Sequence, residues 1–145
     1  MLSHIAEYYE VHFEDAPPLL RGRVLRPLSA TEFTESCELL LAQALRHDCS
    51  FWLLDGRADE NIRSNEVYEW LTEEFLPRVR KALDRVPCLA FLARSEFWQA
   101  LQAHAYAPPP PVLLSAAFRA NWFTEEIDAL AWLNALRNTP ARAAT

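Results

Sequence analysis

Phe51-Trp-Leu-Leu54 and Cys88-Leu-Ala-Phe-Leu-Ala93 decide the fold, because each of these apolar runs stands just before a long amphipathic segment. A short run with no polar alternation reads as a strand buried on both faces. A helix-period segment after it reads as the crossover to the next parallel strand. The class that follows is α/β: one mixed, mostly parallel sheet with about four helices around it.

Working outward, the first segment alternates. Ile5, Tyr9, Val11 and Phe13 share one face of a strand, and Glu10 and His12 take the other. Glu14-Asp-Ala-Pro-Pro18 is a turn by composition, and a second strand over about Leu19–Arg26 completes an antiparallel N-terminal hairpin that Pro27 ends. Ser29-Ala-Thr-Glu32 has capping-box spacing, and Phe33, Cys37, Leu40, Leu41 and Ala44 continue it as a helix to His47. Gly56, directly after the strand Ser50–Asp55, is expected to take a positive φ as the chain leaves the sheet.

The second helix begins after Ser64, its expected N-cap, and carries Val67, Trp70, Leu71, Phe75, Val79 and Leu83 on one stripe. Pro77 inside that pattern predicts a kink or break near Leu76. After the strand Cys88–Arg94, Ser95 caps a short helix to about His104, which the proline run Pro108–Pro111 ends. A last strand falls within Val112–Phe123, centred on Ala117–Trp122. Thr124 is the expected cap of a final helix with Ile127, Leu130, Leu133 and Leu136 as its buried stripe. Residues 1–137 form one domain, and 138–145 form a loose tail.

The chain has 145 residues, 51% hydrophobic and 12% aromatic, enough for one core. Its net charge of −6 argues against general nucleic-acid binding, which needs a basic surface. Cys37, Cys49 and Cys88 are odd in number and show neither a disulfide framework nor zinc spacing. With no signal-peptide pattern at the start and no apolar stretch near the roughly 20 residues a bilayer requires, a cytoplasmic location is expected.

Two glycines, Gly22 and Gly56, exclude a P-loop and a dinucleotide fingerprint. His4, His12, His47 and His104 lack mutual ligand spacing and read as surface or loop residues, so no metal or cofactor is expected. Function in an open parallel sheet collects beyond the carboxyl ends of the strands. That rim holds Asp55, Arg57 and Asp59 after one strand, Ser64 at the next helix, and Arg94 with Glu96 after the following strand. An arginine flanked by carboxylates suits an anionic ligand, or reads as a structural ion-pair cluster. Arg78, Arg80, Lys81 and Arg85 read as a solvated face near a helix C-terminus. Trp52 and Trp70 fit the core, and Trp98 and Trp122 are candidates for a partner surface.

The element order, with Phe51-Trp-Leu-Leu-Asp55, Trp70-Leu-Thr-Glu-Glu-Phe-Leu-Pro-Arg78 and Trp122-Phe-Thr-Glu-Glu-Ile-Asp-Ala-Leu-Ala-Trp-Leu133, resembles the STAS domain of anti-sigma-factor antagonists. It is most similar to a divergent bacterial STAS-like group related in fold to the CRAL-TRIO lipid-carrier domains. Regulatory STAS proteins carry Asp-Ser-x-Gly, with a phosphorylated Ser, at the helix after the third strand. Here the stretch reads Ile62-Arg-Ser-Asn-Glu66, so Ser64 is expected to cap the helix without acting as a phospho-switch.

The leading reading is a non-enzymatic STAS-like domain that binds a protein partner or itself as a weak homodimer. The rival is a small-ligand carrier, holding an acyl chain or an anion between the sheet and its helices. A third is an enzyme using the Asp55/Arg57/Arg94 rim, for which no nucleophile and base pair is recognisable. The carrier needs an apolar cavity, and the interaction domain needs an exposed apolar patch of roughly several hundred Å².

Overall fold

The computed structural model describes residues 2–5, 7–59, 65–94, 112–114 and 118–138. Its strands are β1 (Leu2–Ile5), β2 (Tyr9–Asp15), β3 (Pro18–Val24), β4 (Phe51–Asp55), β5 (Cys88–Leu92), β6 (Val112–Leu114) and β7 (Arg119–Phe123). The helices are α1 (Ala30–His47), α2 (Asn65–Trp70), α3 (Leu76–Leu83) and α4 (Glu126–Arg137), with a π turn (Leu71–Phe75) joining α2 to α3.

The two apolar runs are neighbouring parallel strands, in register from Phe51↔Cys88 to Asp55↔Leu92. They sit centrally in a mixed sheet of order β1-β2-β3-β4-β5-β7-β6. β1, β2 and β3 form an antiparallel meander, β3, β4, β5 and β7 run parallel, and β6 is antiparallel on the far edge. The α/β class, the N-terminal hairpin and the mostly parallel sheet are those the sequence predicts.

Crossover handedness explains the layers. The connections β3–α1–β4 and β4–α2–α3–β5 step the same way across the sheet, so right-handed crossovers put their helices on one face. That face holds Val11, Leu20, Trp52 and Leu89 against Cys37, Leu40 and Ala44 of α1 and Val79 of α3. The alternate residues Leu53, Ala90 and Leu92 meet Ala129 and Leu133 of α4 on the opposite face. Each large apolar side chain taken fully out of water contributes about 1.5–3 kcal/mol. Trp52 also satisfies its indole, which donates to the Cys49 carbonyl at 2.9 Å.

Local chemistry sets the helix ends. Ser29 Oγ accepts from the Glu32 amide at 3.1 Å, and the Glu32 carboxylate accepts from the Ser29 amide at 3.0 Å. Arg26 forks onto the same carboxylate at 3.0 and 2.8 Å, and these hydrogen bonds lower the Glu32 carboxyl from 4.5 to about 2. α1 and α3 end in left-handed Asp48 (φ 51) and Asp84 (φ 57), a conformation that Asp tolerates better than most residues. The irregularity expected near Leu76 is present: α-helical bonding gives way over Leu71–Phe75 and resumes at Leu76. A proline excludes the hydrogen bond to the carbonyl four residues back, and the helix absorbs this as a π turn in which the Leu76 amide donates to the Leu71 carbonyl.

Several expectations need correction. The single opening strand is two, β1 and β2, paired as a further hairpin. The stretch expected to hold one last strand carries β6 as well as β7, and β7, at Arg119–Phe123, starts two residues and ends one residue later than placed. Gly56 has no positive φ; its amide extends the ladder by donating to the Leu92 carbonyl at 2.9 Å. Thr124 does not cap α4: Glu125 occupies the N-cap without a side-chain bond. Ile127 is 76% exposed, so the buried side of α4 is set by Ala129 and Leu133. His47 ends α1 as expected, with its ring stacked on Phe13 at 4.2 Å. The caps at Ser64 and Ser95, the helix to His104, the proline run, Trp98 and the tail Pro140–Thr145 lie outside the described residues.

Among the described residues no helix is long and apolar enough to cross a membrane.

Candidate functional site

On the α1 face, near the carboxyl ends of β4 and β5, the packing leaves a cavity of about 110 Å³. Its sheet wall carries Tyr9, Val24, Trp52, Leu54, Phe91 and Trp122. Phe33, Cys37 and Leu40 of α1 form a second wall, and Tyr68, Leu71 and Phe75 of α2 and the π turn form a third. The lining is overwhelmingly apolar. α1 packs on α3, and the Arg78 guanidinium forks onto Glu38 to tie these helices together. α2 and the π turn, which supply the third wall, precede that clamped segment in the chain. π turns recur at functional sites.

Tyr9 brings a hydroxyl to the sheet wall. It is only 4% exposed, and no described residue hydrogen-bonds its hydroxyl. Burial, with the nearby Cys37 and Asp55, pushes its pKa well above the ordinary value, so it remains a protonated donor. Gly22 makes this placement possible. A Cβ there would overlap the Tyr9 hydroxyl and press on Leu40 Cδ2 at 2.9 Å. Ser36, by contrast, already donates to the Phe33 carbonyl at 2.7 Å.

The rim contains part of the expected cluster. Asp55 ends β4, and Arg57 folds back onto it: Nε donates to Oδ1 at 3.0 Å, Nη2 to Oδ2 at 2.8 Å, and the Arg57 amide to Oδ1 at 3.0 Å. Burial alone would raise the Asp55 carboxyl, but the hydrogen bonds and charge of Arg57 outweigh it and the net shift is downward. Glu125 and Glu126 also act on Arg57, whose charge is therefore balanced by carboxylates and poorly placed to hold an anion. Asp59 lines the cavity with Asp55, whereas Arg94 is exposed beyond β5 and does not line it. Ser64 and Glu96 lie outside the described residues.

Arg78, Arg80 and Arg85 of the basic cluster each face an acidic residue. Arg78 pairs with Glu38, Arg80 lies 3.9 Å from Asp84, and Arg85 donates to the Asp48 carbonyl at 2.6 Å. Cys37, Cys49 and Cys88 are buried thiols. Among the described residues no group of His, Cys, Asp and Glu side chains converges as a metal site.

Sequence reasoning missed the cavity residues Tyr9, Cys37, Leu40 and Tyr68 as a set. One signal pointed to them: a glycine inside a strand, Gly22, often marks the close approach of another group. No family model matches the chain, and neither a curated protein nor a solved structure matches it significantly.

Proposed function

We propose that this chain is a non-catalytic, STAS-like domain that binds a small, mostly apolar molecule in the cavity beneath α1 and α2. The apolar cavity at the carboxyl ends of the parallel strands is the observation that carries this reading. At about 110 Å³ it is comparable to an engineered cavity of roughly 150 Å³ that holds benzene. One ring or a few methylenes fit inside, and the rest of a longer molecule would lie toward Asp55 and Asp59.

The STAS-like reading is supported by the order of β2, β3, α1, β4, α2–α3, β5, β7 and α4. Partner binding has weaker support. Among the described residues the exposed large apolar side chains are Leu25, Leu45 and Ile127. Leu45 belongs to α1 and Ile127 to α4, which cover opposite faces. Native mass spectrometry of protein purified from its own host tests the proposal. A small-molecule adduct that dissociates on denaturation is expected. A bare polypeptide that also fails to take up toluene would overturn it.

A further inference from the structure

We propose that the Tyr9 hydroxyl is the ligand-recognition donor of the cavity, which therefore selects a small apolar molecule carrying one hydrogen-bond acceptor. This rests on the reading of the cavity as a ligand site. Three observations converge on Tyr9. The side chain is more than nine-tenths buried, none of the hydrogen bonds among the described residues involves its hydroxyl, and it lines a cavity whose surface is mostly apolar, with Asp55, Asp59 and Tyr68 also at its walls. A hydroxyl that faces an apolar cavity is satisfied there by water or by a ligand, because leaving it without either is destabilising. Tyr9 is also held in place. The hydroxyl sits over Gly22, the position of β3 paired to Val11 and Leu54, where any side chain would displace it. A fixed donor in a mostly apolar chamber is an arrangement that orients a ligand without binding it through charge.

The rim fits the same ligand class. Arg57 is occupied by Asp55, and Asp59 adds a further carboxylate beside the cavity.

Benzonitrile and phenylacetylene separate the donor from the cavity, because they share shape and differ in the terminal acceptor. Both are titrated into the wild-type protein and Tyr9→Phe, with the nitrile stretch recorded by infrared spectroscopy. Tyr9→Phe is expected to weaken benzonitrile binding about two- to tenfold, the range of one neutral hydrogen bond, and to leave phenylacetylene affinity unchanged. The bound nitrile stretch is expected to move to higher frequency in the wild type and not in the variant. Equal benzonitrile affinity in both proteins, with no difference in the stretch, overturns the Tyr9 assignment and leaves the cavity reading standing. Failure of the wild type to bind either compound overturns both. Retained phenylacetylene binding by Tyr9→Phe shows that the variant is folded.

Discussion

Gly22→Ala is the substitution whose outcome depends most sharply on where the Tyr9 hydroxyl lies. The new methyl would overlap that hydroxyl and stand 3.0 Å from Tyr9 Cζ and 2.9 Å from Leu40 Cδ2. The backbone cannot yield easily, because Gly22 is held between Val11 of β2 and Leu54 of β4. Overpacking of this kind costs about 1–3 kcal/mol. Removing a glycine returns about 0.4–1 kcal/mol through the unfolded chain. A net loss of about 1–2 kcal/mol is expected, read as a lower urea midpoint at unchanged slope.

Tyr9→Phe alone removes a hydroxyl with no protein partner and should change stability by less than about 0.5 kcal/mol. The double variant should recover at least half of the Gly22→Ala loss, a coupling of about 0.5 kcal/mol or more between residues in contact. A neutral Gly22→Ala, or strictly additive effects in the double variant, would refute this packing.

The Glu32 carboxyl, lowered from 4.5 to about 2 by Arg26 and Ser29, contributes stability that is complete above its unfolded value. That contribution disappears as pH falls through about 2, so the stability gap between the wild type and Glu32→Gln should narrow from pH 5 to pH 2; a constant gap in acid titrations contradicts it. Burial pushes the Cys88 thiol up to about 11 and raises that of Cys49, so native protein should resist iodoacetamide at pH 8 and react fully in urea. Rapid alkylation of both in the native state, followed by peptide mass spectrometry, would count against their burial. On α4, Leu133→Ala should cost about 2–5 kcal/mol and Ile127→Ser less than about 0.5, with the reverse order in urea melts contradicting the orientation of that helix.

The parts of the fold legible in the sequence are those where one local signal dominates. The runs at Phe51 and Cys88 have no polar alternation, and they became the central parallel strands. Ser29 and Glu32 have a spacing that fits few structures other than a capping box, and both of its hydrogen bonds are present. The errors fall where local signals are ambiguous. Thr124 and Glu125 can each start a helix, and tertiary packing chose Glu125. Ile127 fits an apolar stripe by type, yet the small Ala129 and Leu133 are what the sheet accepts. Asp55 and Arg57 were visible as rim residues because they directly follow a strand. The cavity itself was not visible, since it is a space left between residues far apart in the chain. Tyr9 and Tyr68 face it from different layers, and no spacing rule joins them.

Methyl nuclear magnetic resonance during a toluene titration tests the central claim most directly. Saturable shifts are predicted at Val24, Leu28, Leu40, Leu54 and Leu71, which line the cavity, with Leu53, Leu130 and Leu133 on the α4 face unmoved. Absence of saturable shifts at the cavity methyls, or saturation at the α4 methyls instead, would contradict the account.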